Sequence, residues 1–449
     1  MTGDPPPARR SSTSRRRLLA GGLAAAVPWP RGVPADSATA PAVRLEAAPT
    51  ELEVAGQPVS LLTYNGQFPG PLVRAPEGGL LRIELVNRLD EPTNLHFHGL
   101  HVSPGANNDN VFVSVPPGGR FLYELAVPQG HGGTFWYHPH AHHRLARQLW
   151  RGLAGPLIVD RHGDPALGLT AAAEQVVLVK DLTIEDGHPA PHLTADWARG
   201  KSGSLVLVNG RQRPHLTTRA GPAWVRLINA CNGRALLLAR GDGRPLSVVA
   251  RDGHLLETAQ PLPEVLVTPA QRIDLVVPFT NGAPVRLVHR PYNRGARREP
   301  PVEEELFTLL PPPEPGPAPV TRLATIERLE PSAVVRRRRL KMAMAFLHAE
   351  GGGHLEPLRA RLGDLEAWEI TNVDTQDHVF HLHTWPFQVW RVDGREPPYR
   401  AWRDTINLRP GEQVEILIPF RRFAGRSVFH CHIAEHGDAG MMGVIEVEA

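Results

Sequence analysis

Histidines placed two residues apart constrain the fold of this chain more than any other sequence feature. In one such pair, His430-Cys431-His432, the intervening residue is a cysteine. Along a β-strand, residues two apart share a face, whereas adjacent residues lie on opposite faces. On a strand, His430 and His432 therefore point to one side and Cys431 to the other. The pattern predicts a strand that serves two different sites, one on each side of its sheet.

Ten of the 22 histidines fall into four short motifs. When the first 40 residues are set aside, two motifs lie in the N-terminal part of the remaining chain and two in its C-terminal part. The motifs are His96-Phe97-His98, His138-Pro139-His140, His378-Val379-Phe380-His381-Leu382-His383, and His430-Cys431-His432 continuing to His436 and Met441. A single His-x-His pair is weak evidence for a metal. Four motifs in one chain, one of which encloses a cysteine, are hard to obtain by accident. Imidazole and thiolate ligands together suit copper or zinc.

One group of these residues has the composition of a blue-copper electron-transfer site. Two imidazoles, one thiolate and a weak axial thioether form that set, and His378, Cys431, His436 and Met441 supply it. A structural zinc site is the alternative, but zinc sites seldom use methionine. The eight remaining histidines exceed the needs of one metal ion, which favours a multinuclear copper site. Because Cys431 is bonded to two of those histidines, an electron would have a short through-bond path between the sites.

The rest of the chain reads as short strands joined by turns. Pro (46) and Gly (42) are abundant, and 81–86 alternates apolar and polar residues. Each third of the chain contains a predicted strand ending in asparagine (Asn87, Asn229, Asn372) and a Pro-Gly or Pro-Ala turn. We therefore predict an all-β chain of three related β-sandwich domains. Domains are expected at 41–163, 164–310 and 321–449, with a proline-rich linker at 311–320. A short helix is expected between Ala141 and Leu149.

The first 40 residues resemble an export signal rather than a folded segment. Arg15 to Arg17 precede an apolar run that ends near Val27, and Ala38-Thr39-Ala40 offers a small-residue cleavage pattern. The paired arginines suggest a twin-arginine signal and a partner in the corresponding export machinery, hence a periplasmic or secreted protein. A disordered basic tail on a cytosolic protein is the alternative. No other stretch approaches the length of a membrane span, so no stable membrane anchor is expected.

Charge and cysteine content exclude two further classes of protein. The net charge is +3, and the basic runs carry no interleaved aromatic residues, so nucleic-acid binding is not expected. Arg336 to Arg339 is interpreted as a solvated surface loop. Two cysteines do not make a disulfide scaffold. A bridge between them stays possible at this point, although Cys231 follows an apolar run and is interpreted as a small buried hydrophobe.

Taken together, these motifs resemble the multicopper oxidases, a family that includes laccases, bilirubin oxidases and bacterial cuprous oxidases. Beyond the histidine motifs, the resemblance rests on residues 64–71 (YNGQFPGP), 134–140 (TFWYHPH), 152–157 (GLAGPL) and 430–441, in the usual order. It implies three cupredoxin-like Greek-key sandwiches and four coppers per chain. The type 1 copper would be held by His378, Cys431 and His436, with Met441 axial. The type 2 copper would be held by His96 and His381, and the coupled type 3 pair by His98, His138, His140, His383, His430 and His432.

The same resemblance implies electron transfer from a reductant to dioxygen. An acidic residue near the trinuclear cluster usually assists with protons, and Asp109 is the candidate; capping a turn in Asn107-Asn108-Asp109-Asn110 is an equally good interpretation. Many bacterial relatives have an acidic residue directly after the histidine that matches His436. Here that residue is Gly437, with Asp438 next to it.

Other departures concern methionines and additional histidines. Met342 and Met344 are expected in the core rather than at a copper(I) site. The stretch 346–353 departs from the family pattern and its structure is not predicted. His101, His142 and His143 lie outside the matching positions and are not expected to bind copper.

The leading functional hypothesis is a laccase-like oxidation of phenols or aromatic amines at an open pocket beside His436, with reduction of dioxygen to water. A cuprous or Mn(II) metallo-oxidase acting in copper tolerance is the alternative. A metal-free envelope assembly factor is a remote possibility, because all twelve matching ligands are present.

Overall fold

The structure is a computed structural model that describes residues 42–161, 173–295, 303–313, 322–344, 346–349 and 356–449. The predicted export signal at 1–40 lies outside the described residues. So do the predicted domain boundary at 163/164, most of the linker at 311–320, and part of the unpredicted stretch 346–353. Within the described residues, no helix is both long and apolar enough to cross a membrane.

The first part of the chain folds into two facing four-stranded sheets, ordered β2-β1-β4-β6 and β3-β8-β7-β5. Its elements are β1 (Val43–Val54), β2 (Gln57–Tyr64), β3 (Val73–Pro76), β4 (Leu80–Asn87), β5 (His96–His98), β6 (Arg120–Ala126), β7 (Gly133–His138), α1 (Leu145–Trp150) and β8 (Gly155–Asp160). The alternation in β4 places Leu81, Ile83 and Leu85 in the core between the sheets. The helix expected between Ala141 and Leu149 forms as α1.

The middle part forms a six-stranded and a five-stranded sheet, ordered β12-β9-β14-β19-β16-β17 and β13-β21-β20-β15-β18. Its elements are β9 (Glu174–Leu182), β10 (Ile184–Glu185), β11 (His188–Pro189), α2 (Thr194–Arg199), β12 (Leu205–Val208), β13 (His215–Thr217), β14 (Ala223–Asn229), β15 (Leu236–Arg240), β16 (Leu246–Arg251), β17 (His254–Leu262), β18 (Glu264–Val267), β19 (Arg272–Val277), β20 (Val285–Arg290) and β21 (Glu304–Leu310). Cys231 is buried in its core and carries no disulfide.

The last part again forms a six-stranded and a five-stranded sheet, ordered β23-β22-β25-β30-β27-β28 and β24-β32-β31-β26-β29. Its elements are β22 (Arg336–Ala343), β23 (Phe346–Ala349), β24 (Leu358–Arg361), β25 (Leu365–Asn372), β26 (His378–Leu382), β27 (Phe387–Val392), β28 (Trp402–Arg403), β29 (Thr405–Leu408), β30 (Gln413–Pro419), β31 (Gly425–Cys431), α3 (Ala434–Asp438) and β32 (Met442–Glu448). The interpretation of Arg336 to Arg339 as a loop is wrong: they begin β22, where Arg338 is held by buried Glu366 at 2.6 Å.

The three sandwiches repeat one hydrogen-bonding device. In each, a parallel strand pair (β1 with β4, β9 with β14, β22 with β25) contains the strand that ends in the predicted asparagine. Each asparagine is fully buried, accepts a bond from the main-chain N–H two residues later, and donates to two carbonyls. The repeat seen in the sequence is therefore structural. The predicted fold class, three cupredoxin-like Greek-key β-sandwiches, is confirmed.

Candidate metal centre

Cys431 ends β31, and the pairing of that strand sets the direction of its neighbours. β31 is antiparallel to β26, with Phe380 opposite Cys431 and His381 opposite His430. The cysteine side chain enters the core of the third sandwich, where Met441 is also buried. His430 instead meets His140 of the first sandwich, so the predicted two-sided strand is what the structure shows.

On the core side, three donor atoms converge at what we call the cysteine site (His378, Cys431 and His436). The Cys431 sulfur lies 3.7 Å from Nδ1 of His378 and 3.7 Å from Nδ1 of His436, and the two nitrogens are 3.2 Å apart. Main-chain bonds fasten the peptide around the site, since Cys431 N–H donates to the Met441 carbonyl and Met441 N–H to the His436 carbonyl. Burial raises the pKa of the Cys431 thiol to about 12.

The outer nitrogens of both imidazoles are already bonded. Nε2 of His378 lies 3.0 Å from an Asp374 carboxylate oxygen, and Nε2 of His436 lies 3.2 Å from the Ala198 carbonyl of α2. A bond at Nε2 fixes the tautomer and leaves Nδ1 with its lone pair directed at the cysteine sulfur. The site therefore presents two neutral imidazoles and one sulfur to a soft metal ion.

On the other side of β31, eight histidines meet between the first and third sandwiches in what we call the histidine cluster. Its members, all at most 5% exposed, are His96, His98, His138, His140, His381, His383, His430 and His432. β5 and β7 of the first sandwich and β26 and β31 of the third carry most of them. The rings interlock across the boundary: His96 stacks on His383 and His98 on His381, each pair with centroids 3.9 Å apart.

The pattern of unpaired nitrogens in the cluster tests whether a metal fits there. His96, His138 and His381 each have Nδ1 hydrogen-bonded and a buried Nε2 with no hydrogen-bond partner among the described residues. His98 has the reverse arrangement, with Nε2 on Asp404 and Nδ1 unpaired. A buried polar atom without a partner destabilises a fold, so this many nitrogens together fit a site that binds metal.

Two further contacts lead to the same conclusion. Nε2 of His430 lies 3.2 Å from Nε2 of His140 and 3.0 Å from Nε2 of His383. Both nitrogens of buried His432 lack a hydrogen-bond partner in the part of the chain that the structure describes. Burial lowers the pKa of all eight rings, to about 3 for His138 and about 4 for His430, and neighbouring imidazoles add to the effect at every ring except His430. Neutral imidazole is the form that binds metal, and its donor chemistry suits copper.

Asp109 lies against the cluster rather than at the surface. Both carboxylate oxygens are 3.0 Å from His96 Nδ1, and Oδ1 accepts a bond from Phe97 N–H. Burial raises the pKa of this carboxyl to about 8. The turn-capping interpretation does not describe these contacts. Asp438, the other acidic candidate, accepts a bond from Ala146 N–H in α1 instead.

Gly437 lies close to the peptide between the two sites. A Cβ placed there would lie 3.1 Å from the Cys431 carbonyl oxygen and 3.6 Å from His430 Nδ1. Glycine in place of the acidic residue of many bacterial relatives therefore lies at the edge of the histidine cluster, where there is little room for a side chain.

Sequence reasoning missed Asp404 and Arg272. Asp404 accepts a bond from His98 Nε2 through Oδ1, and its main-chain carbonyl accepts one from His381 Nδ1. Arg272 of the second sandwich donates to both Asp404 oxygens, at 2.8 and 2.5 Å. All three sandwiches thus contribute to one buried contact. No sequence signal pointed to it, because neither residue lies in a histidine motif.

The open pocket expected beside His436 stays a prediction. The His436 side chain is 1% exposed, and α2 of the second sandwich covers it through the contact with Ala198. Met342 is in the core as predicted, whereas Met344 is 46% exposed, contrary to the prediction.

Comparison with known proteins agrees with this geometry. Two family models described as multicopper oxidase match residues 46–164 and 339–449. The chain is 30% identical over 402 residues to the multicopper oxidase mco of Staphylococcus haemolyticus, covering 86% of this chain and 83% of that protein. The chain belongs to the multicopper oxidases. It is thus a copper-dependent oxidoreductase, and copper is the metal that its clustered donors fit.

Solved structures of other multicopper oxidases share the fold. A metallo-oxidase from Campylobacter jejuni is 26% identical with a TM-score of 0.83, and covers 94% of this oxidase and 96% of that chain. A laccase-like enzyme from Ochrobactrum sp. with oxidase activity towards lignin model compounds is 25% identical with a TM-score of 0.83, and covers 94% of this oxidase and 99% of that chain.

The sequence is also similar to that of the cell division protein FtsP of Escherichia coli, at 26% identity over 415 residues, covering 87% of this oxidase and 86% of FtsP.

Proposed function

We propose that twelve residues of this oxidase hold its coppers. His378, Cys431, His436 and Met441 would bind the type 1 ion. His96 and His381 would bind the type 2 ion, and His98, His138, His140, His383, His430 and His432 the type 3 pair. The convergence of Nδ1 and sulfur atoms at the cysteine site and the unpaired nitrogens of the cluster support this assignment. Bound copper supplies one-electron chemistry, accepting electrons from a reductant and passing them to dioxygen.

The single observation that carries this function is the position of Cys431 between the two groups. Its sulfur contacts the imidazoles of the cysteine site, while its peptide bonds join it to His430 and His432 of the histidine cluster. Electrons entering at the cysteine site have a continuous covalent path to the cluster. Removing the sulfur should therefore stop turnover with every reductant.

We propose that Asp109 holds His96 in the tautomer that leaves Nε2 unpaired, and also serves as a proton donor next to the cluster. Its contact with both His96 and Phe97 N–H fixes the carboxylate in place, and it is buried away from bulk solvent. Asp438 bonds to α1, so it supports the fold there rather than filling the role of the acid missing at Gly437.

We propose that the oxidase is exported through the twin-arginine machinery to the periplasm or beyond the cell. The Arg15-Arg16-Arg17 run, the short apolar segment after it and the Ala38-Thr39-Ala40 pattern support this. Cell fractionation tests it: the wild-type chain should leave the cytoplasm, and a variant with Arg15, Arg16 and Arg17 all replaced by Lys should remain there.

For the reductant, we propose phenols and aromatic amines, as in laccases. Support comes from the similarity to the Ochrobactrum enzyme that acts on lignin model compounds. Because α2 covers His436, we expect small phenols to be oxidised faster than bulky ones. Steady-state oxygen consumption by copper-loaded protein with a small phenol, a bulky phenol and Cu(I) tests this; a preference for Cu(I) would replace the phenol proposal.

One observation favours metal ions as a second candidate reductant. Asp374, whose carboxylate contacts His378, is 12% exposed, and Gln376 links the same turn to the exposed thioether of Met344 at 3.8 Å. Carboxylate and thioether ligands could receive a metal ion within reach of the cysteine site. The similar C. jejuni protein is a metallo-oxidase. Met344→Leu should lower the rate with Cu(I) and leave the rate with phenols unchanged if this candidate holds.

A further inference from the structure

A cavity whose described lining includes none of the proposed copper ligands lies where the three sandwiches meet. Its volume is about 350 Å³, within the range of small-molecule sites. His131 and Arg161 come from the first sandwich, His254 from the second, and Trp402 and Arg422 from the third. Neither the phenol proposal nor the copper assignment gives this cavity a role.

The described lining of the cavity carries a net positive charge from its arginines. It contains three histidines, three arginines and one carboxylate, Glu327. Both oxygens of that carboxylate are engaged by Arg421, at 2.7 and 2.9 Å. Arg422 forms no ion pair with the described residues. Its φ of 69° places it in the left-handed region, which directs the chain so that consecutive arginines line the cavity.

The imidazole rings of the cavity pack against one another, and one of their nitrogens is available to contact a ligand. The rings of His101 and His131 are 5.2 Å apart, and those of His131 and His254 are 6.0 Å apart. Nε2 of His254 is buried without a hydrogen-bond partner among the described residues. Burial, with smaller effects from His101, Arg422 and Arg161, lowers the pKa of His131 to about 3, so this imidazole is neutral.

A metal ion does not fit this lining. The three histidines are not among the groups of described residues whose ligand atoms approach one another within 4.8 Å, unlike the cysteine site and the histidine cluster. The arginines would also repel a cation. A negatively charged ligand, in contrast, would find guanidinium and imidazole N–H donors on several sides.

We infer that this cavity binds a small organic anion through a phosphate or carboxylate group. Arg422, His131 and His254 would contact the charged oxygens, and Trp402, Leu255 and Ile326 would line the space for the attached carbon skeleton. Because its contacts come from all three sandwiches, the bound anion would also tie the sandwiches together.

Calorimetric titration of the copper-loaded protein with inorganic phosphate and with phenyl phosphate, at constant ionic strength, tests the inference. We expect one saturable site per chain for both probes, tighter for phenyl phosphate, with the copper absorption spectrum unchanged. Arg422→Asn should weaken both about tenfold, because it removes a charge-assisted contact while suiting the left-handed backbone. His131→Gln should weaken both as well, and Arg422→Lys should retain most of the affinity.

Arg359→Ala is the matched control, because it removes the same charge from a side chain that is 72% exposed and outside the cavity lining. It should leave both affinities unchanged. The absence of saturable phosphate binding would overturn the inference. So would equal affinity of the wild type and Arg422→Asn, or a binding signal that alters the copper spectrum. Equal affinity for phosphate and phenyl phosphate would overturn the inference that the cavity also binds the carbon skeleton of an organic anion.

Discussion

His98 and Asp404 are 306 residues apart in the chain, yet Nε2 of the first lies 3.1 Å from Oδ1 of the second. The contact leaves Nδ1 of His98 as the nitrogen available to a metal. Arg272 binds both oxygens of the same carboxylate. A ligand from the first sandwich is thus oriented by an acid from the third, which is itself held by a base from the second. Such partners behind a metal ligand set its orientation and basicity.

Replacing Asp404 should therefore impair the histidine cluster selectively. In Asp404→Asn we expect copper to be lost from the cluster and oxygen reduction to fall about tenfold or more, because partners behind metal ligands contribute that much to affinity. The cysteine site should keep its intense blue absorption. Elemental analysis combined with visible spectroscopy measures both effects. Normal copper content with normal oxygen consumption would show that Asp404 does not position His98.

Asp109→Asn should impair the histidine cluster, where Asp109 is proposed to supply protons and orient His96, and should leave electron entry at the cysteine site unchanged. The amide can still accept a bond from His96 but carries no dissociable proton, so we expect turnover to fall about tenfold or more. Reduction of the cysteine site by a phenol, followed as loss of the blue band under anaerobic conditions, should proceed at the wild-type rate. Asp90→Asn, an exposed carboxylate of the same sandwich, is the matched control. Wild-type turnover in Asp109→Asn would contradict the proposed role.

Asn229→Ala tests the repeated asparagine device in the sandwich that carries none of the proposed copper ligands. The side chain makes three bonds, to the Arg234 and Val267 carbonyls and from the Cys231 N–H. Leaving such buried groups unpaired should lower the free energy of unfolding by about 2–4 kcal/mol, without changing the copper content. Urea unfolding measures the loss. In the control Gln260→Ala, where the side chain bonds Thr258 at the surface, we expect little change; equal effects of both substitutions would refute the device.

The sequence was most informative where chemistry and strand geometry act over a few residues. Alternation along His430-Cys431-His432 predicted two sites on opposite sides of one strand, and the burial pattern of β4 followed from its alternation. Three strand-final asparagines predicted an internal repeat. Each of these depends only on neighbours in the chain, so each could be predicted without knowing how the sandwiches pack.

The remaining features arise from packing between the sandwiches and have no local pattern. Asp404 and Arg272 meet only because three sandwiches converge there. The cover over His436 comes from α2, more than 230 residues earlier in the chain. Arg336 to Arg339 look like a solvated loop until Glu366 of the adjacent strand is seen to hold Arg338. Position in the sequence carries no information about such contacts.

The most direct test of the central claim is oxygen consumption by copper-loaded Cys431→Ser, measured with a phenol and with Cu(I). Cys231→Ser is the matched control, because it alters the other buried cysteine, which lies in the core of the second sandwich and is not one of the proposed ligands. We predict that Cys431→Ser keeps the histidine cluster loaded but loses its blue colour and consumes no oxygen with either reductant, while Cys231→Ser retains both properties. Turnover by Cys431→Ser at a rate near that of the wild type would contradict the claim that electrons pass from the cysteine site to the cluster through this residue.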